Sequence, residues 1–235
     1  GPDPFTNKNN FIKHIDYLDH NFVTSDPINL GLNKKYKCSY MPIPVDKNIE
    51  YLKCYQNKYP IKDLFFTMSH GVNKGVLKRN KIDVREPFVK ELVSSNPDII
   101  FDIYGYENNQ PIWSNDFYDA LYKSKMALNL SRINNVKYYS SNRIASLIGN
   151  GILTFIDRNT KLNDFFSNDE VVFYKNIKDL SEKIKYYKEN NSKRIEIAKK
   201  GKEKYFNIFN NEIIADYICS RLFNRKVKRN ISWMK

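Results

Sequence analysis

The chain has 235 residues, 39 Lys and Arg against 26 Asp and Glu, a formal net charge of +13 and 41% hydrophobic residues. That is apolar material for one large domain, and it excludes a wholly disordered chain. No glycine period, sustained heptad or apolar run near the roughly 20 residues of a membrane span occurs, which excludes collagen-like, coiled-coil and helical membrane classes. The opening Gly-Pro-Asp-Pro-Phe-Thr, residues 1–6, is expected to be a tag or protease remnant.

Residues 7–45 read as irregular, with short strands at 21–25 and 36–41; Pro42 to Asp46 then reads as an extended linker, because each Pro biases its predecessor away from helix. After Pro60, short apolar runs alternate with helical patterns. Strands are expected at 64–69, 99–105, 126–130, 152–157 and 171–174; helices are expected at 85–92, 117–124, 139–150 and 162–166. The remainder reads as three helices. The first spans Ile177 to Tyr187, the second opens at Ser192 with Ile195, Ala198 and Tyr205 as its buried stripe, and the third runs from Asn211 to Phe223 with Ile214, Tyr217, Ile218 and Leu222. Strands of about five residues alternating with helices predict an α/β fold, a mostly parallel Rossmann-like sheet flanked by helices, with a helical C-terminus.

Cys38, Cys54 and Cys219 lack CxxC spacing and are expected to be reduced thiols of a cytoplasmic protein, buried or half-buried. With only His14, His20 and His70, a His-rich metal site is not expected. Most of the positive charge reads as solvated lysine. The exception is the tail, where Arg221, Arg225, Lys226, Lys228 and Arg229 cluster near Trp233 and are expected to touch a membrane surface or a partner domain.

Ligands of parallel sheets sit at the carboxyl ends of the strands. That selects four loops: 69–79, 104–109, 131–142 and 157–161. The first carries Ser69, His70, Gly71, Lys74, Gly75, Lys78 and Arg79, glycines and cations directly after a strand, a composition that suits a diphosphate. A solvated glycine loop has the same composition. In the third, Ser140, Ser141 or Asn142 would cap a helix whose first turn holds Arg143, a plausible phosphate seat. A surface salt bridge for Arg143 and sheet packing for Tyr138 and Tyr139 are the alternatives. Tyr106, Trp113 and Tyr138 are candidates to stack on a base or sugar, or to pack in the core.

The stretch Arg143-Ile-Ala-Ser-Leu-Ile-Gly-Asn-Gly151-Ile-Leu-Thr-Phe-Ile-Asp157 resembles the R-x-F-E-x-x-A-x-G motif of the CgeB-like glycosyltransferases, which are similar to the family 1 and family 4 GT-B enzymes. Leu162 to Phe166, Glu170 to Tyr174, Lys178 to Ile184 and Ala198 to Gly201 match that family's ending in order and spacing, so the resemblance covers about residues 20–220. It implies two Rossmann-like domains facing across a cleft, this chain carrying the C-terminal, donor-binding one. The implied nucleotide-sugar site comprises Ser69, His70, Gly71, Lys74, Lys78, Gly105, Tyr106, Arg132, Tyr139, Ser140, Asn142, Arg143 and Ser146, with no metal and no cofactor. Asp102 falls inside a strand and Asp169-Glu170 before one, so no DxD-like pair follows a strand.

Two departures matter. The motif glutamate, which implies contact with ribose hydroxyls, falls on Ser146, which cannot bind two hydroxyls as a carboxylate does; either another acid such as Asp157 or Glu107 replaces it, or donor affinity is weak, or the nucleotide sits differently. Residues 7–45 are also too short for a full N-terminal domain of ~100 residues. The expected organisation is a remnant of that domain and linker at 7–45, a nucleotide-sugar-binding domain at 46–223 and a basic tail at 224–235, with no catalytic residue nominated. The expected partners are a nucleotide sugar, a glycan or other acceptor, an N-terminal acceptor domain and a membrane surface through the tail. The alternatives are a non-catalytic module of the same fold and, from a different class, a nucleic-acid-binding protein. No RRM, OB or helix-turn-helix signature supports the latter, so no nucleic-acid partner is expected.

Overall fold

The computed structural model describes residues 8–15, 17–32, 36–70, 76–78, 80, 82–132, 136–227 and 233. The apolar runs after Pro60 form five strands: β3 (Lys62–Thr67), β4 (Phe101–Tyr104), β5 (Ser124–Asn129), β6 (Leu153–Asp157) and β7 (Val172–Tyr174). They form one all-parallel sheet in the order β4-β3-β5-β6-β7. Leu64 pairs with Met126 and Phe65 with Ala127 across its centre.

Both faces are covered, which is why the strands read as continuous apolar runs rather than alternating ones. Leu64, Phe66, Leu128 and Phe155 pack against Val89 and Leu92 of α2 (Glu86–Ser94) and Leu180 and Ile184 of α5 (Ile177–Glu189). Phe65 and Ala127 face the other way, onto Leu121 of α3 (Ser114–Tyr122) and Leu147 of α4 (Asn142–Gly149). A third cluster joins Ile144, Ala145 and Ile148 of α4 to Tyr205 and Phe209 of α6 (Asn191–Phe209) and Ile214 and Tyr217 of α7 (Asn211–Leu222). Gly201 allows this approach of α6, since a Cβ there would fall 2.1 Å from the Glu170 carbonyl oxygen.

The N-terminal segment builds α1 (Lys8–Ile15) and a separate parallel pair, β1 (Asn21–Val23) and β2 (Cys38–Tyr40), around Ile15, Val23 and Leu32. The Pro42 to Asp46 segment is extended as expected but is more than a linker. Val45 is 1% exposed, its N–H donates to Phe209 O at 3.0 Å, and its carbonyl accepts from Asn211 N at 3.0 Å.

Several sequence expectations shift. The helix expected from Tyr139 begins at Asn142, because Tyr138 takes a left-handed φ of 62° and the Ser140 N–H is drawn to Thr24 O at 2.8 Å. The helix expected at 117–124 begins at Ser114 and ends at Tyr122, since Ser124 already pairs in β5. The segment 162–166 is a 3-10 turn at Leu162–Asp164. On α6 Ala198 and Tyr205 are buried as expected, but Ile197 takes the place of Ile195, which is half-buried; Leu222 is 44% exposed and Cys219 is exposed. Trp233, beside the basic tail, is buried. Its ring packs edge-on against Tyr217 at 4.8 Å, and its Nε1 donates to Ile208 O. Among the described residues no helix is long and apolar enough to cross a membrane.

Candidate functional site

The chain leaves β3 toward β4 on one side and returns to β5 on the other. The carboxyl ends of β3 and β5 therefore flank a topological switch point, where backbone loops diverge and leave a crevice. Arg143, in the first turn of α4, spans it. Its Nε donates to Thr67 O at 3.0 Å and its Nη1 to Leu130 O at 2.8 Å, so one guanidinium joins the ends of both strands. Its plane lies over the Phe66 ring at 5.5 Å. Two of its five N–H groups serve these carbonyls.

Two further arginines converge on the same place. Arg132 donates from Nη2 to Ser69 O at 2.9 Å, and Arg85 donates to the same oxygen at 3.3 Å. Both pair with Asp83: Arg85 grips it through Nε at 2.7 Å and Nη2 at 2.9 Å, and Arg132 Nε lies 3.4 Å from Oδ2. Burial alone would raise the Asp83 carboxyl, but the hydrogen bonds and charge of Arg85, then the charge of Arg132, hold it well below the usual carboxylate range. Arg143 shows the opposite strain: burial, then the neighbouring Arg85 charge, pushes its guanidinium down to about 9. Among the described residues, Asp83 thus pairs with Arg85 and Arg132, and Arg143 lies close enough to feel the charges of all three.

Beside it, between the loops after β3 and β4, lies a cleft of about 450 Å³ lined by His70, Lys78, Asn80, Glu86, Glu107 and Gln110, among others. His70 is 3% exposed; its Nε2 lies 2.9 Å from Glu86 Oε1 and its Nδ1 accepts from Lys78 N at 3.4 Å. The two loops touch because Gly105 has no side chain. At φ +74° a Cβ would sit 1.9 Å from Met68 O.

The structure brings Ser69, Arg132 and Arg143 together, and places His70 and Lys78 in the adjoining cleft. Gly71 and Lys74 lie outside the described residues. Gly105 fixes the loop, and Tyr106 is half-buried against the β3–β4 side of the core. Tyr139 is half-buried near Arg143, and Asn142 is exposed at the start of α4. Ser140 is buried, and its hydroxyl accepts from Ile43 N at 3.0 Å, so it tethers the loop to the linker. Ser146 is half-buried, and its carbonyl accepts from Asn150 Nδ2. Of the two acids weighed as replacements for the motif glutamate, Asp157 is engaged with Asn159 N at 2.8 Å, whereas Glu107 lines the cleft. Tyr138 belongs to the core: it packs on Phe165 at 4.6 Å and its hydroxyl donates to Asp164. Arg85 and Asp83 were not legible as site residues. An Asp-x-Arg ahead of a helix reads as a helix start, and Asp83 N–H does donate to Glu86 Oε1 as in a capping box.

The glycosyl transferase-like family matches residues 79–220. A search of curated proteins finds no match. Among solved structures, TarM (a mutant from S. aureus was solved with Fondaparinux, alpha-GlcNAc-glycerol and UDP) superposes with a TM-score of 0.66 at 14% identity, covering 92% of this chain and 46% of that one. Anabaena Alr3699/HepE with UDP and glucose gives 0.64 at 11% identity, covering 95% of this chain and 68% of that one. Sucrose-phosphate synthase of Thermosynechococcus elongatus gives 0.62 at 11%, covering 92% and 61%. The chain therefore spans about half the length of TarM. Its sheet and helices are the Rossmann-like fold of the C-terminal half of GT-B glycosyltransferases, and the chain belongs to the glycosyl transferase-like family.

Proposed function

We propose that this chain is the donor-binding half of a glycosyltransferase that takes a sugar from a nucleoside-diphosphate sugar to a glycan or other acceptor. The observation that carries the reading is the arrangement of Arg85, Arg132 and Arg143 around Asp83 at the switch point. A diphosphate there would meet the remaining N–H groups of Arg143, the exposed edge of Arg132 and, from the cleft, Lys78. It would relieve the mutual repulsion of the cations. Glu107 is the acid placed to accept from sugar or ribose hydroxyls. That TarM and HepE were solved with UDP supports the nucleotide class.

In the transfer, the acceptor hydroxyl oxygen bonds to the anomeric carbon. The bond from that carbon to the diphosphate oxygen breaks, and its electron pair leaves with the diphosphate. The hydroxyl proton passes to a base outside the residues named here. Arg132 and Arg143 act on the leaving group, since cations already in place stabilise charge that grows as the bond breaks. No step requires a metal ion. The residues at 7–45 are read as the end of the acceptor-side domain and its linker.

A non-catalytic module of the same fold is the second reading, favoured by Ser146 where the motif carries glutamate. A thermal-shift and calorimetric panel of UDP, GDP, CDP and their sugars tests the first. One nucleoside diphosphate is expected to stabilise the chain selectively. Failure of all of them to bind at millimolar concentration would contradict it. Binding without sugar release in the full-length protein would favour the module.

A further inference from the structure

A second cleft, of about 940 Å³, lies far from the switch point in sequence, between Asp19, His20 and Lys37 on one wall and Ser220 to Arg225 and Val227 on the other. It is framed by aromatic contacts that fix its cations. His20 packs on Phe22 at 4.8 Å, Phe22 meets Tyr217 edge-on at 5.8 Å, and the Arg221 guanidinium lies over Tyr217 at 5.3 Å. Arg225 lies over Phe223 at 5.2 Å, and its N–H donates to Ser220 O at 2.9 Å, which folds the chain back at the end of α7. His20 Nε2 is 2.8 Å from Ser39 Oγ.

Among the described residues, no carboxylate lies within ion-pair distance of Lys37, Arg221 or Arg225, although Asp19 shares the lining. The other lysine and arginine clusters of the fold each surround an acid, Asp63 at one end of the sheet and Asp83 at the other. Here three cations and an imidazole face one cavity with a single exposed acid. Arg221 and Arg225 both line it, and a guanidinium presents paired N–H donors that suit the oxygens of a phosphoryl group.

We propose that this cleft is an anion site, separate from the nucleotide site, that holds the phosphoryl group of a phosphate ester or diphosphate through Arg221, Arg225 and Lys37. The same chemistry fits a soluble phosphorylated ligand and the head group of an anionic lipid. His20 is the built-in reporter. Burial, then the charges of Arg221 and Lys37, holds its imidazole below the usual value, and an anion between those cations raises it again.

The test follows the His20 Cε1–H resonance of the whole chain while pyrophosphate is added, with a parallel flotation assay on 3:1 phosphatidylcholine–phosphatidylglycerol vesicles. The expected result is a saturable shift of His20 and a rise in its titration midpoint. The affinity should fall about tenfold or more in the double variant Arg221→Ala/Arg225→Ala and stay unchanged in Arg132→Ala. All four substituted or reporting side chains lie at the surface or half-buried, and dispersed spectra establish that the variants fold. Vesicle binding lost in the double variant, with weak pyrophosphate binding, assigns the phosphoryl group to a lipid. Absence of both effects, or their persistence in the double variant, overturns the proposal.

Discussion

The two ends of the central sheet carry similar charges arranged in opposite ways. At the amino end of β3, buried Asp63 is the hub: Lys125 lies 2.9 Å from one oxygen, Lys188 3.0 Å from the other, and Ile100 N–H donates at 2.9 Å. Both lysines are 24% exposed, so water shares the cost of holding them. At the carboxyl end two of the three cations are drawn inward, while Arg132 is 39% exposed. Arg85 is 4% exposed, and Arg143 is enclosed enough that burial depresses its pKa. Arg143 donates to strand-end carbonyls, which carry no charge to oppose its own. The first arrangement is complete without a ligand and holds the sheet together. The second gathers Arg85 and Arg132 on Asp83 beside Arg143, where the sheet topology also opens a crevice.

The largest expected effect comes from breaking the complete end. Asp63→Ala leaves the Lys125 ammonium and the Ile100 N–H without their acceptor and Lys188 with only the Asp98 carbonyl, and should cost about 3 kcal/mol of stability in urea unfolding. Nucleotide affinity of the folded protein should not change. Arg143→Lys keeps the charge but serves only one carbonyl well. It is expected to cost about 1–2 kcal/mol and to weaken nucleotide binding roughly tenfold; an unchanged affinity would reduce Arg143 to a strand clamp. The smallest effect lies at low pH. Asp83 is depressed by its arginines, so its stabilising contribution is intact above the unfolded carboxyl range near pH 4 and is lost progressively as pH falls below it. A flat stability profile from pH 5 to 2 would show that its pairs contribute little.

The sheet was legible because strands buried on both faces leave dense apolar runs closed by turn residues, as in Leu64-Phe-Phe and Ile152 to Asp157. Boundaries were less so. Tyr139 to Ser141 carry helix-compatible residues, but tertiary bonds from Ser140 to Thr24 and Ile43 pull them out of the helix. Trp233 stands among basic residues in the sequence, yet it fills a gap among Tyr40, Phe209 and Tyr217, which sequence separation hides. In the site, Arg143 and the loop after β3 were visible from helix-start and loop chemistry. Arg85 and Asp83 were not, since their partners, Ser69 and Arg132, reach them only through the β3–β5 adjacency that a crossover creates.

The most direct test of the account compares the two ends in one titration: calorimetry of the preferred nucleoside diphosphate with the unmodified chain, Arg132→Ala and Lys188→Ala. Arg132 is 39% exposed and should cost under about 1 kcal/mol of stability when removed. The account predicts affinity at least about fivefold weaker in Arg132→Ala and unchanged in Lys188→Ala. Equal affinity in all three, or an equal loss in both variants, would contradict an anion seat at the switch point.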